Sequence, residues 1–418
     1  MDISNLKVLP RPNRVICLAI TLEVYQIMIN ESSLFRGYLD QQIEQFFELF
    51  PSQILSGYRM KDMYLSKKLG ITIRRIEING ISYTLRPSFL MPYMTGFVKD
   101  IEEVLFLRKF EVPFWALSHV FGKDAMYWYR IEQTIGRNSL VGTTIQDVEK
   151  LPQDLSADEK HTWLLGQKAY VAMTVGDDCI LGASVASNVD EKALTEAYKT
   201  FREEAQLIEP EYCPQSVNTD GWQATQSAWK TLFPSISLIL CFLHVFIKIR
   251  DRAKKKFKQL FEETADKLWE CYQAPHKCSF SQRIRRLHEW AEKSDLPEVI
   301  FKPLDQLRQN IAQFKKAYDL PGAHRTSNMV DRLMQRMDRH LFSTQYFHGN
   351  LSSAELSIRG WALLYNFAPS NPNTVKHHHG AQSPAERINQ FRYHDSWLQN
   401  LLISASLGGY RGPPLNPL

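Results

Sequence analysis

The feature that most constrains this chain is a change of texture near residue 155. From there, short apolar runs separated by turn residues replace longer stretches of helical spacing. Residues 155–158, 168–175 and 179–186 read as three consecutive strands, with Gly176-Asp177-Asp178 as the turn between the second and third. A helix over 191–204 follows, then a brief strand at 216–220, a helix at 222–232 and a strand at 237–243.

Three strands in a meander, a helix, a strand, a helix and a strand is the order of an RNase H-like core, and 151–247 is read as its first part. Residues 245–320 continue as helices with no strand signal, so 248–322 is expected to be an all-helical insertion. Helices at 327–341, capped around Thr326-Ser327-Asn328, and at 354–365 complete the core as 323–368, and 369–418 is a Pro/Asn/His-rich loop and tail. The overall expectation is an α/β protein. Its N-terminal mixed unit, 1–95, is helical to about residue 60, with Leu39, Ile43, Phe46, Phe47 and Phe50 at helical spacing, then a hairpin over 71–85 around Asn79-Gly80. The apolar segment 15–30 is interrupted by Glu23 and is read as a buried helix, neither a membrane span nor an export signal.

Between the two lie helical stretches at 98–110, 113–121 and 123–135. Pro113 suits a first helical turn and Gly122 a tight connection, which outlines a helix-turn-helix region over 96–150. Its last helix would carry Lys123, Tyr127, Tyr129 and Arg130 toward a DNA groove; an ordinary three-helix packing unit is the competing reading.

At 418 residues the chain is too long for one ordinary core. Its 50 basic and 45 acidic residues leave a formal charge of only +5, so the distribution of charge, not its sum, must argue for nucleic acid. One run does: Lys248, Arg250, Arg252, Lys254, Lys255, Lys256 and Lys258 place seven cations in eleven residues directly after the last core strand. Such runs are ordinarily solvated helix faces, but beside a carboxylate site phosphate contact becomes the better expectation. The six cysteines lack the density of a disulfide scaffold, which suits a cytoplasmic protein without a membrane partner.

Phosphodiester cleavage by two divalent ions, Mg²⁺ or Mn²⁺, needs carboxylates that converge on one point. Asp158 and Asp220 each end a short apolar strand, and neighbouring strands would bring both to one sheet edge. Asp331, one turn inside its helix, is the best third acid. The 111 residues between Asp220 and Asp331 require an inserted domain, which the helical block supplies. A lone strand-end Asp is commonly a turn residue or cap, and Asp177, Asp178 and Asp190 are read that way.

The segments Ala157-Asp158-Glu159-Lys160-His161-Thr162, Asn218-Thr219-Asp220-Gly221-Trp222, Cys241-Phe-Leu-His244 and Thr326-Ser-Asn-Met-Val-Asp331 together resemble bacterial insertion-sequence transposases of the DDE class, related to the Mutator-like group. Ser383-Pro-Ala-Glu-Arg387 and Phe391-Arg-Tyr393 look like the tail of the same family. The resemblance implies that Asp158 and Asp220 are the first two catalytic acids, that Cys241 and His244 form the signature after the next strand, and that the acid following Thr-Ser-Asn is the third. That acid is usually Glu and here is Asp331, with Asp338 on nearly the same helix face as a fallback. Cys241 and His244 are expected to support the metal ligands or face DNA; a zinc site with Cys271, His276 and Cys278, or simple packing, is the alternative. The implied activity is transposition: binding of double-stranded transposon ends, cleavage, and strand transfer into target DNA by a homodimer or larger assembly, cytoplasmic and nucleoid-associated in a bacterium. A transposase-derived DNA-binding protein with impaired catalysis, or another RNase H-like nuclease such as a resolvase, are the rival functions.

Overall fold

Alternating apolar runs pair into two mixed sheets, as seen in a computed structural model that describes residues 13–410. The first sheet comprises β1 (Val15–Leu18), β2 (Arg59–Ser66), β3 (Ile71–Ile78) and β4 (Ile81–Pro87), in the order β1-β4-β3-β2. The hairpin turn between β3 and β4 forms at Asn79-Gly80, both at positive φ, as its tight connection demands. Val15–Leu18 corrects the expectation of a buried helix over 15–30: it pairs parallel with β4, and the helix Leu22–Met28 begins only after Thr21, whose hydroxyl accepts from Val24 N–H. Strand β2 lies almost wholly in the stretch between the helices expected to about residue 60 and the expected hairpin, to which no element is assigned. Nearly all of its residues are exposed, Met63, Tyr64 and Leu65 among them, and cross-strand pairs hold this edge, Asp62 with Arg75 at 2.5 Å and Glu77 with Arg59 at 2.8 Å.

The second sheet contains β5 (Asp154–Leu164), β6 (Gln167–Gly176), β7 (Cys179–Ala186), β8 (Ser216–Thr219) and β9 (Ser237–Leu240) in the order β7-β6-β5-β8-β9. The β5-β6-β7 meander is antiparallel, while β8 runs parallel to β5 and β9 parallel to β8. Alternation, shifted once by a bulge at Leu181 in β7, divides the sheet's residues between two layers. Leu155, Ala157, Ala172 and Leu181 face the helices Glu191–Ile208 and Gln223–Leu232; Val171, Met173, Ile180 and Val185 face the helices Asn328–Ser343 and Leu351–Phe367. Asn366 clasps β7 from that side, accepting from Ile180 N–H at 2.9 Å and donating to its carbonyl at 2.8 Å.

Between β9 and the helix Asn328–Ser343 lie five helices, Phe242–Ala253, Lys258–Tyr272, Lys277–Lys293, Glu298–Gln309 and Ile311–Lys315, which enclose an apolar cluster of their own around Phe280, Ile284 and Leu304. The N-terminal sheet, by contrast, shares one continuous core with the helices up to Ile135, with β6, and with residues 397–407. The expected C-terminal loop and tail is therefore corrected: helices Pro372–His377, Pro384–Asn389 and Trp397–Ser404 form there, and the last is almost wholly buried.

The three helices expected between 97 and 135 are present with shifted ends. A 3₁₀ turn, Val98–Asp100, precedes the helix Glu102–Arg108; Phe114–Phe121 follows; and the last helix is Ala125–Ile135, since Lys123 joins Gly122 in a positive-φ turn and Asp124 takes the cap. That last helix packs on Leu351–Phe367 so closely that a methyl group at Gly360 would lie 2.4 Å from Glu132 O. Beneath the contact, Arg108 donates to Glu132 Oε2 at 2.7 Å and lies 3.1 Å from His340 Nδ1, all three fully buried.

Gly360→Ala should therefore cost about 3 kcal/mol by overpacking. Gly37→Ala, in a helix where an added methyl meets nothing within 4 Å, should instead gain about 0.5–1 kcal/mol. Urea denaturation of both variants reads the two opposite shifts.

Candidate metal centre

The parallel pairing of β5 and β8 aligns Asp154 with Ser216, Leu155 with Val217 and Ser156 with Asn218. β8 ends at Thr219, and continuing the register sets Asp158 level with Asp220. The next strand repeats the offset: Thr219 pairs with Leu240, which sets Asp220 level with Cys241. Three chemically active residues thus reach the same edge. The expectation that Asp158 ends its strand is corrected, because β5 continues to Leu164 and Asp158 sits within it, opposite Met173 of β6. It is β8, not β5, that stops.

Alternation along β5 gives its neighbouring acids different surroundings. Asp158 points to the layer of the helix Asn328–Ser343 and meets Asp331 there. Ligand atoms of Asp158, His244 and Asp331 all lie within 4.8 Å of one another. His244, expected to support the site from outside, is inside this group, carried by the first turn of the helix Phe242–Ala253. Asp220 is close enough to raise the Asp158 pKa but stands outside that 4.8 Å group, its Oδ1 accepting from Trp222 N–H at 2.8 Å. Asp338 is turned to Lys160, at 2.6 Å, two residues along β5.

Hydrogen bonds fix the supporting groups. Ser327 N–H donates to Cys241 Sγ at 3.1 Å, and Ser327 Oγ is 3.1 Å from both that sulfur and Asp331 Oδ2. Cys241 therefore anchors the start of the helix that presents Asp331. Phe242 N–H donates to Arg325 O, closing the same junction one residue on. His244 Nδ1 is buried without a hydrogen-bond partner.

Burial and the adjacent Asp220 carboxylate push Asp158 up to about 6, with Asp331 adding to the effect and His244 opposing it. Burial disfavours a charged imidazole at His244, but the Cys241 sulfur and the two carboxylates outweigh it and push this residue up to about 9. The group thus holds acids and a counter-charge together. Glu159, one residue on, faces the opposite layer. Its Oε1 accepts from Tyr198 at 2.7 Å and Thr225 at 2.8 Å, so it ties β5 to the helix that begins just after Asp220. Only its parity on β5 separates its structural role from that of Asp158, a signal that the short reading of that strand hid.

A cleft of about 320 Å³ opens beside the centre, lined by Asp220, Cys241, His244 and Lys248 on one side and by Gln306 and Asn310 of the helical insertion on the other. The basic run continues from it: Lys248, Arg250 and Arg252 are exposed on the helix Phe242–Ala253, Lys254, Lys255 and Lys256 on the following turn, and Lys258 at the start of the next helix. Arg250 also pairs with Asp251 at 2.9 Å. Of the residues expected to reach DNA from the last helix of the 96–150 region, Lys123 and Arg130 are exposed. Tyr127 and Tyr129 are half-buried: the Tyr127 hydroxyl donates to Thr95 O at 2.9 Å, and Tyr129 packs edge-on against Phe114.

The acids read as turn and cap residues are such. Asp177 and Asp178 have positive φ in the β6–β7 turn, and Asp190 caps the helix Glu191–Ile208. Among the described residues no trio of cysteines and histidines converges, and all six cysteines are free, so Cys271, His276 and Cys278 do not complete a zinc site with Cys241. No protein-family model and no curated protein matches the chain.

Glu159 ionises with difficulty: burial pushes its carboxyl up to about 7, although the Tyr198 and Thr225 hydrogen bonds favour the charged form. A raised acid pKa contributes stability that is present below the unfolded value and lost as pH rises through the folded one. In chelator-containing buffer, Glu159→Gln should therefore be more stable than the parent at pH 8, by on the order of 2–3 kcal/mol, with the gain fading by about pH 4. Thermal denaturation across that range measures it.

Proposed function

We propose that this chain is a DNA transposase of the DDE class, with an RNase H-like core that cleaves and rejoins DNA through Asp158, Asp220 and Asp331. The observation that carries the reading is the meeting of Asp158 and Asp331, acids 173 residues apart in the chain, at the edge where the strand register also delivers Asp220. The sheet order β7-β6-β5-β8-β9, with helices on both faces and a helical insertion after the last strand, supports the RNase H-like assignment.

The residues suit Mg²⁺ or Mn²⁺: two carboxylates and an imidazole with an unpartnered nitrogen converge, and a third carboxylate flanks them. Asp158, Asp220 and Asp331 would hold a pair of such ions, whose chemistry would be Lewis acidity toward a hydroxyl and the phosphate charge in both cutting and joining. The rest is the work of the chain. Cys241 and Ser327 hold Asp331 to the sheet edge, Glu159 holds β5 to the helix after Asp220, and Lys248 faces phosphates at the mouth of the cleft. The exposed cations from Arg250 to Lys258 extend that track, and Lys123 and Arg130 offer a second contact for transposon ends. Double-stranded ends and target DNA are the substrates, and joining two ends calls for a homodimer or larger assembly, cytoplasmic and nucleoid-associated in a bacterium.

A second reading, a transposase-derived DNA-binding protein with impaired catalysis, is favoured by two features: the short Asp331 side chain, and His244, which balances the acids from inside the group. Nicking of supercoiled DNA with and without Mg²⁺ or Mn²⁺ separates the two. The enzyme should nick only with the ion, and Asp220→Asn should lose cleavage at least 100-fold, on the order seen for essential charge-stabilising groups, while retaining DNA binding in a gel shift. Unchanged nicking by Asp220→Asn removes the assignment; binding without nicking by the parent protein selects the second reading.

Replacing Lys254, Lys255 and Lys256 together by Gln should weaken DNA binding and reduce the slope of log affinity against log salt by about 3. A salt titration of the parent and the triple variant gives both slopes.

A further inference from the structure

The helix Asn328–Ser343 shows two chemically opposite faces. Asp331 and Asp338 look toward β5, whereas Arg332 and Arg336 stand about 100–140° further round the axis, on the side turned away from it. There they line a second cavity of about 320 Å³, closed by Lys109 from the N-terminal half of the chain and by Arg387 and His378 from the C-terminal segment. Three guanidinium groups and the Lys109 amine face it, and Asp178 is the one carboxylate in its wall.

That imbalance is unusual for partly enclosed charge. Among the described residues no carboxylate comes within 4.0 Å of Lys109, Arg332 or Arg336, and Arg387 reaches Asp178 only at 3.9 Å. Glu111, the other nearby acid, senses Arg336 but pairs with Arg339 at 3.8 Å. The Arg387 Nε is buried with no hydrogen-bond partner, while its Nη1 donates to Ser370 Oγ at 3.2 Å. Lys109 is 6% exposed and donates to the Ala368 and Pro369 carbonyls, which fixes its ammonium at the cavity wall. Burial, reinforced by Arg336 and Arg387, pulls that ammonium down to about 7, the direction that crowding by like charge produces and that an anion would reverse. Guanidinium groups arranged without carboxylate partners present bidentate donors that match a tetrahedral oxyanion.

We propose that this cavity is a phosphoryl-binding site, with Arg332, Arg336 and Arg387 as donors to the phosphate oxygens and Lys109 as the charge at its base. It lies on the reverse side of the helix that presents Asp331, outside the metal centre. The ligand chemistry is a single phosphate group, carried either by a DNA strand end or by a free nucleotide.

The site is tested with the full-length protein in chelator, without cleavage, so its outcome is independent of the assignment of the aspartates. Inorganic phosphate, adenosine monophosphate, and a short duplex with either a 5′-phosphate or a 5′-hydroxyl are titrated at constant ionic strength, with binding read by calorimetry and by thermal shift. Phosphate should raise the melting temperature, and Arg332→Gln and Arg336→Gln should each weaken its binding about tenfold or more, the scale of one charge-assisted hydrogen bond. Arg336→Lys, which keeps the charge without the fork, should restore part of the loss. Arg332 is exposed and has no structural partner, so its variant keeps the fold, and an unchanged melting temperature without phosphate verifies this. Lys192→Gln, the same loss of charge on a distant exposed helix, should leave phosphate binding unaltered. Preference for the 5′-phosphorylated duplex over its 5′-hydroxyl twin identifies a strand end as the source; tighter binding of the mononucleotide identifies a free nucleotide. Absence of phosphate binding, or binding that Arg332→Gln and Arg336→Gln weaken no more than Lys192→Gln does, overturns the proposal.

Discussion

The site depends on a difference in length between two neighbouring strands. β5 runs eleven residues and β8 only four, so the parallel ladder stops after Ser156–Asn218 and the carboxylate of Asp158 emerges beside a strand that has already ended. Were β8 two residues longer, its backbone would continue the ladder there and the following loop would not open onto the cleft. Side-chain parity does the remaining sorting: even positions of β5 look to the helix bearing Asp331, odd positions to Tyr198 and Thr225. Two adjacent acids thereby acquire unrelated tasks.

Around this edge the chain uses buried polar groups where a purely apolar core would give more stability. Arg359 and Glu204 pair at 2.5 Å with both side chains buried, and Glu204 also accepts from the N–H groups of Leu140 and Val141. Arg108, Glu132 and His340 do the same between the N-terminal helices and the helix of Asp331. Buried pairs of this kind contribute little net stability but penalise any arrangement that separates them. Here they fix how the helices that carry the site sit against those that precede it. The candidate site is the extreme case: burial and like charge raise Asp158, and the structure tolerates this because Cys241, Ser327 and the surrounding helices hold the groups in place.

Much of the second sheet and the β3–β4 hairpin of the first were legible because their signals are local. Gly176-Asp177-Asp178 and Asn79-Gly80 can make only tight turns, and Cys179–Ala186 is a run that only a strand buried on both faces explains. β1 was hidden because four apolar residues followed by a helix look like one longer helix; its pairing with β4, some 70 residues away, decides the matter. β2 was hidden because an exposed edge strand shows no apolar alternation. At the candidate site the acids could be named from element order, but the inclusion of His244, the exclusion of Asp220 from the tight group and the diversion of Asp338 to Lys160 are consequences of side-chain direction. No one-dimensional pattern encodes those directions. The basic cavity was equally out of reach, since its four basic side chains come from three separate stretches of chain.

The burial of the last described residues has a consequence for biogenesis. Ser406 hydroxyl accepts from Cys17 N–H on β1, Gly408 O accepts from Ser139 N–H, and Gly409 meets the Gly142 backbone with no room for a side chain on either. A polypeptide leaving the ribosome leaves these contacts of its first sheet unmade until the segment around Ser406, some 390 residues after β1, has emerged. Native closure is then a late, long-range event, which lengthens the interval in which a half-made chain is open to aggregation and dependent on chaperones.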